Sequence, residues 1–187
     1  MYKDYLKFYP DFPVKGVNFV DLMPLLQNKK VFRSLCHDLG ALCDCPNIAA
    51  PEARGFLFGS PLLFSTERIQ NLIPLRKRGK LPHNEGDLVL VNIHKEYGMD
   101  QIFYRLSDIA AGVVQDGVLN LTFFDDILAT GGTALGIIES LNSQKVCIEG
   151  KEIPVRVKDC VFLAEIDVLK GRAKLESVAP VKALIHV

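Results

Sequence analysis

The chain has 187 residues, and none of its apolar runs approaches the roughly 18 residues that a membrane-spanning helix requires. Its first residues, Met1-Tyr2-Lys3-Asp4-Tyr5, lack the apolar stretch of a secretory signal. Neither sign of charge is in excess, with 22 Lys and Arg against 22 Asp and Glu. A whole-molecule basic field for holding nucleic acid is thereby excluded, and any anion site has to be local. Cysteine is sparse: Cys36, Cys43, Cys45, Cys147 and Cys160 form an odd set with no repeating spacing. Cys43-Asp44-Cys45 is too tightly spaced for a zinc knuckle, and no second Cys or His pair lies nearby. Unpaired thiols of this kind suit a reducing cytoplasm. The nucleotide-triphosphate loop G-x-x-x-x-G-K-[ST] is missing, and so is the dinucleotide fingerprint G-x-G-x-x-G. No repeat and no linker interrupts the chain, so its length predicts one domain over 1–187.

What is present is an ordinary folding composition, 49% apolar and 24% charged. Apolar residues at helical spacing over Val31 to Leu42 predict a helix with one buried stripe. A short strand is expected at Asn47 to Ala50. A helix is expected over Gly55 to Phe64, kinked or delayed by Pro61. Leu72 to Leu75 is another strand. Lys77 to Tyr97 carries turn residues and charges around Leu88-Val89-Leu90-Val91, the pattern of an exposed hairpin or mobile flap. Ser107 to Ala111 opens a short helix. Leu119 to Phe124 is a buried strand ended by Asp125-Asp126, and Ala134 to Leu141 is a helix. Lys145 to Ile148 and Ile153 to Val157 form a hairpin about Glu149-Gly150-Lys151. Cys160 to Glu165 is a strand, Val168 to Leu175 a short helix, and Val181 to Val187 a closing strand. Apolar strands alternating with helices predict an α/β fold with a parallel central sheet covered on both faces.

The most informative stretch is Phe123-Phe124-Asp125-Asp126-Ile127-Leu128-Ala129-Thr130-Gly131-Gly132-Thr133. Two carboxylates stand at the carboxyl end of a buried strand, where ligands bind in open α/β sheets. Gly131 and Gly132 let main-chain N–H groups approach an anion closely. The following helix points its positive end at the same place, and Thr130 and Thr133 add hydroxyls. Phosphate donors beside acceptors for sugar hydroxyls describe a ribose 5-phosphate site. The plain alternative is a strand end followed by a threonine-capped helix. Two acids, two threonines and two glycines in this order are more specific than that.

Phe124 to Thr133 resembles the motif by which type I phosphoribosyltransferases bind phosphoribosyl pyrophosphate (PRPP), in its DDxLATGGT form. Other blocks resemble the adenine phosphoribosyltransferase branch: Asp11-Phe12-Pro13 with Gly16 and Phe19, Asp21 with Pro24-Leu25-Leu26, and Arg54-Gly55-Phe56-Leu57-Phe58-Gly59. So do Arg76-Lys77-Arg78-Gly79-Lys80-Leu81-Pro82, Glu96-Tyr97-Gly98, and Leu169-Lys170-Gly171-Arg172 with Leu175. These blocks span nearly the whole chain in family order. The resemblance implies a type I phosphoribosyltransferase fold with a small N-terminal hood over 1–30 and a mobile β flap over 77–104. It implies the reaction of adenine with PRPP to give AMP and pyrophosphate, through a transition state of oxocarbenium character.

By the same resemblance, Ala129, Thr130, Gly131, Gly132 and Thr133 wrap the 5′-phosphate, and Asp125 and Asp126 hold the ribose hydroxyls. Arg54, Arg76 and Lys80 face the pyrophosphate, with guanidinium groups suited to phosphate geometry. Glu96 and Tyr97 belong to the flap, which closes over PRPP and keeps water out, and they join Arg54 as catalytic residues. Phe19 stacks on the purine, and Val17 or nearby backbone bonds its edge; the alternative makes both core residues of a small lobe. Mg²⁺ is implied as the cofactor, held mainly by PRPP and water rather than by protein ligands. The implied partners are adenine, PRPP and a second copy of the chain, with neither nucleic acid nor membrane.

Three departures stand out. Val20 occupies a position where the family usually has arginine, which removes a polar contact at or near the base. Ala53 stands where serine is common. Glu149 to Val157 is an insertion, placed away from the PRPP loop and available to a partner subunit. Two other functions share the pattern: a phosphoribosyltransferase for another purine, and a non-catalytic PRPP-sensing regulator. The regulator needs an appended DNA-binding segment, for which the chain has no room.

Overall fold

A computed structural model of the chain describes residues 2–94 and 99–187. A two-stranded ribbon at the start pairs β1 (Lys7–Tyr9) antiparallel with β2 (Phe19–Asp21). Helix α1 (Lys29–Leu42) begins two residues before the expected Val31, because the Asn28 side chain accepts hydrogen bonds from the Lys30 and Val31 N–H groups. It turns Leu35, Cys36 and Leu39 inward. Strand β3 (Asn47–Pro51) follows, then α2 (Arg54–Gly59). The single helix expected over Gly55 to Phe64 is in fact two pieces. Pro61 has no N–H to continue the α-helical ladder, and Ser60–Phe64 tightens into a 3₁₀ helix.

Next come β4 (Asn71–Lys77), β5 (Leu88–His94), β6 (Met99–Arg105) and α3 (Leu106–Ala110). Strand β7 (Leu119–Leu128) does not stop at the acidic pair; it carries Asp125 and Asp126 within it and pairs on as far as Leu128. After α4 (Gly132–Asn142), β8 (Lys145–Ile148) turns back onto β9 (Lys151–Glu165). That strand merges the two expected segments, and a register shift opposite Leu121 and Thr122 takes up the irregularity between them. The helix expected over Val168 to Leu175 is broken at Lys170, whose φ of 52° is left-handed, leaving a 3₁₀ turn (Asp167–Leu169) and α5 (Gly171–Leu175). Strand β10 (Val181–His186) ends the chain's sheet.

The large sheet runs β10-β9-β7-β3-β4-β6-β5, with β8 on the side of β9. The pairs from β10 to β4 are parallel, while β6 joins β4 and β5 antiparallel. One face packs Phe123, Ile73 and Phe162 beneath Ile137, Ile138 and Leu141 of α4. The other packs Phe124, Ile48 and Leu163 beneath α1, Phe58 and Leu62. Burial on both faces is why Cys160 to Ala164 of β9 reads as a continuous apolar run, whereas the first half of that strand alternates between buried and exposed residues. Val20, Leu22 and Leu25 from the N-terminal segment enter this second cluster.

At the amino ends of the parallel strands a buried network anchors the α1–β3 connection. Thr122 donates to Asp159 at 2.6 Å, and Lys182 lies 3.2 Å from Asp159 and 2.6 Å from Asp44. The Asp44 N–H and the Cys45 thiol also donate to Asp159. The Cys43-Asp44-Cys45 segment thus braces the sheet end opposite the acidic pair.

Candidate active site

The chain enters the sheet at β3, moves outward through β4, and returns to β7 on the other side of β3 before moving out through β9 and β10. The connections therefore diverge between β3 and β7. A crevice opens at the carboxyl ends of strands at such a switch point. Two connections flank it here: Glu52 to Arg54 after β3, and Ala129 to Gly131 after β7.

The loop after β7 is a cradle. With Asp125, Ile127, Leu128 and Phe162, residues 129–134 line a cavity of about 160 Å³. Gly131 caps α4 with φ of 75° and brings no side chain to the cap. The first intrahelical bond is made by the Leu135 N–H, so the N–H groups at the head of α4 remain for an anion. The cradle rests on α5: a Cβ on Gly171 would lie 2.2 Å from the Ala129 carbonyl oxygen, and one on Gly131 would lie 2.8 Å from that of Gly171. Only glycine permits this backbone contact. Lys170-Gly171-Arg172 is thus a support for the glycine loop, and sequence reading gives no hint of that contact.

The acidic pair faces the crevice from β7. Asp126 is buried, and Arg54 Nε lies 2.7 Å from its Oδ2. The contact is out of line with the N–H bond, so Oδ2 is an ion-pair partner that still lacks an aligned hydrogen-bond donor. Asp125 Oδ1 accepts the Asp126 N–H at 2.8 Å. Burial, and then the neighbouring Asp126 charge, push the Asp125 carboxyl well above the usual range. Burial also raises Asp126, against the pull of Arg54. Gly55 makes room for this arrangement, since a Cβ there would sit 3.2 Å from Asp125 Oδ1.

Arg54 also joins the acidic pair to a second hollow, its guanidinium lying 5.5 Å from the Phe19 ring centroid. That hollow, about 380 Å³, is lined by Tyr9, Phe12, Phe19, Asp21, Met23 and Arg54. Phe19 and Val20 alternate across β2. Phe19 looks into the hollow, whereas Val20 is 4% exposed and packs in the core. The departure at Val20 therefore falls on the core face of the ribbon. Val17 is 41% exposed and is not among the residues lining the hollow.

Arg76, at the end of β4, pairs with Glu52 and stacks over Phe56 at 5.6 Å. Burial works to raise Glu52, but the Arg76 bond, the Lys77 backbone N–H and the Lys80 charge hold its carboxyl below the usual range. Lys80 is exposed in the loop after β4. Arg54, Phe19 and the acidic pair thus form one contiguous surface, with Arg76 and Lys80 gathered around Glu52. Glu96 and Tyr97 lie outside the described residues. Glu52, an acid directly after a buried strand and two residues before Arg54, carried a signal that sequence reading passed over.

No protein-family model matches the chain. Its fold superposes on the crystal structure of adenine phosphoribosyltransferase from Thermoanaerobacter pseudethanolicus with a TM-score of 0.80 and 32% identity, covering 100% of this chain and 98% of that one. The Saccharomyces cerevisiae enzyme, solved with an imino-altritol bisphosphate and adenine, gives 0.75 and 32% over 98% of this chain and 96% of that one. A switch-point crevice carrying an acidic pair and a glycine loop, on this sheet, defines a type I phosphoribosyltransferase fold. Among its relatives, the adenine phosphoribosyltransferase of Maridesulfovibrio salexigens is 34% identical over 179 residues, 94% of each chain. The chain belongs to the adenine phosphoribosyltransferase family.

Proposed function

We propose that this protein transfers the 5-phosphoribosyl group of PRPP to adenine, forming AMP and releasing pyrophosphate in purine salvage. The observation that carries the reading is Arg54. One guanidinium touches both the acidic pair and the Phe19 ring, so a ribose bound at the first lies next to a base bound at the second. The 5′-phosphate sits in residues 129–133 against the head of α4. A ribose hydroxyl donates to Asp126 Oδ2, supplying the donor that this buried oxygen lacks. Asp125 holds the neighbouring hydroxyl. The purine stacks on Phe19, with Val17 or adjoining backbone at its edge.

The bond from the anomeric carbon to pyrophosphate breaks, and a base nitrogen takes its place. Arg54, Arg76 and Lys80 receive the negative charge that develops on the leaving group. Glu52 presets Arg76 for this task by holding its Nε, which leaves the terminal nitrogens free to turn toward phosphate. Residues 77–104 act as the flap, with Glu96 and Tyr97 closing over the reacting centre, and residues 1–30 as the hood.

Mg²⁺ is the cofactor of this reading, and when bound it spreads the charge of the pyrophosphate. The acidic pair fits a supporting role toward it. Asp126 is engaged by Arg54 and Asp125 by a backbone N–H, so the two carboxylates would serve the ion by accepting hydrogen bonds from its water rather than as direct ligands. Among the described residues, the close carboxylate and imidazole trio is Glu165, Asp167 and His186, and there Arg172 already engages Glu165. We place the enzyme in the cytoplasm as a homodimer. Its five cysteines are free thiols, in keeping with a reducing compartment.

The test is direct. Purified protein is incubated with PRPP, Mg²⁺ and one purine base at a time. AMP from adenine should form far faster than IMP or GMP from hypoxanthine or guanine. Equal rates, or no product, would reject the assignment.

A further inference from the structure

We propose that Tyr9 forms a second aromatic wall of the base site and sets the affinity for adenine; this rests on the reading of the Phe19 hollow as the base pocket. Tyr9 is directly opposite Phe19 in the β1–β2 ribbon. Residues opposite each other in an antiparallel pair project from the same face. Phe8 and Val20, one position along, project from the other face, where Val20 is anchored in the core. Tyr9 and Phe19 both line the 380 Å³ hollow, a volume suited to a small planar molecule.

The third wall is Phe12, whose ring meets Phe19 edge-on at 5.2 Å and 82°. The loop carrying Phe12 is tied down by two bonds, from the Gly16 N–H to Asp11 Oδ1 at 2.6 Å and from the Phe12 N–H to the Val17 carbonyl at 3.1 Å. Tyr9 remains 47% exposed and Phe12 54% exposed, so two large rings stand half in solvent over an apolar floor. A cluster of that kind marks a place where an apolar surface arrives. A purine lying on Phe19 buries the inner side of Tyr9 and leaves its phenol at the mouth.

Such a contact acts on the ground state and the transition state alike, so it appears in KM and not in kcat. With the full chain, Tyr9→Ala should raise KM for adenine about tenfold, equivalent to about 1.4 kcal/mol, in the range of one base–aromatic stack. KM for PRPP should hold. Tyr9→Phe should bring the adenine KM back close to the parent value. Phe19→Ala, measured alongside, should raise it as well.

If Phe19→Ala raises the adenine KM and Tyr9→Ala does not, the role of Tyr9 is rejected and the base pocket stands. If neither variant moves it, both the pocket and the role fall. If Tyr9→Ala lowers kcat, the affinity for PRPP and the melting temperature together, Tyr9 is a scaffold residue and the proposal is overturned. A rise in adenine KM alone, with recovery in Tyr9→Phe, supports it.

Discussion

Asp125 shows how the fold sets a single carboxyl against its own solvation. Burial and the Asp126 charge raise its pKa. A carboxyl raised in the folded state binds more protons there than in the unfolded chain. Stability therefore falls as pH rises from the unfolded to the folded pKa, and the loss is complete above the latter. Asp125→Asn keeps an acceptor for the Asp126 N–H and removes the strained charge. It should stabilise the protein near neutrality, with the gain shrinking as the solution is made acid. Urea midpoints of parent and variant across that range would check this; a constant difference would contradict it. Turnover should fall sharply in the same variant, because ribose hydroxyls need a strong acceptor. Glu52 behaves in the opposite sense: Arg76 holds it ionised, so its contribution is lost only when acid protonates it.

At the scale of elements, the glycine loop after β7 owes its shape to a neighbour far along the chain. Gly171, at the head of α5, sits so close to Ala129 and Gly131 that no side chain fits between them. Gly171→Ala must displace backbone, since the Cβ would lie 2.2 Å from a carbonyl oxygen. The expected cost is about 1–3 kcal/mol of stability. The loop would also move, lowering kcat/KM for PRPP on the order of 100-fold. Denaturant unfolding and steady-state kinetics measure the two effects separately. Loss of stability with unaltered PRPP kinetics would show that α5 only braces the fold. The β8–β9 hairpin makes a contrast. It pairs Leu119 with Val155 at one end of β7, while the loop follows Leu128 at the other. The Glu149 to Val157 segment is thus a whole strand length from the glycine loop.

For the whole molecule, the decisive feature is the sheet order. Placing β7 beside β3 brings together an arginine just after β3 and an acidic pair in a strand more than 70 residues later. Phe64, 92% exposed at the end of the 3₁₀ turn after α2, leaves a large apolar side chain on the outside beside Phe32 and Cys36 of α1. The balanced charge offers no long-range repulsion between copies. Light scattering on the purified protein should accordingly give twice the chain mass. A monomer that remains fully active would remove the homodimer from the description.

The sequence alone determined the class of the fold, most of the element positions and the place of the glycine loop after β7. Those signals are local: burial on both faces makes β7 apolar, and an anion needs the glycines and helix head within one turn. Where adjacent residues compete, sequence reading set the boundaries wrongly. It ended β7 at charged residues that continue the ladder, joined what Pro61 and Lys170 divide, and divided what β9 joins. Tertiary structure alone decided that Val20 faces the core and Phe19 the hollow, because a strand's register selects its faces only when a partner covers one of them. It also decided that Arg54 reaches across to Asp126, that Glu52 holds Arg76 and that Gly171 supports the loop. These contacts join residues far apart in the chain, and no local preference encodes a distance that only packing sets.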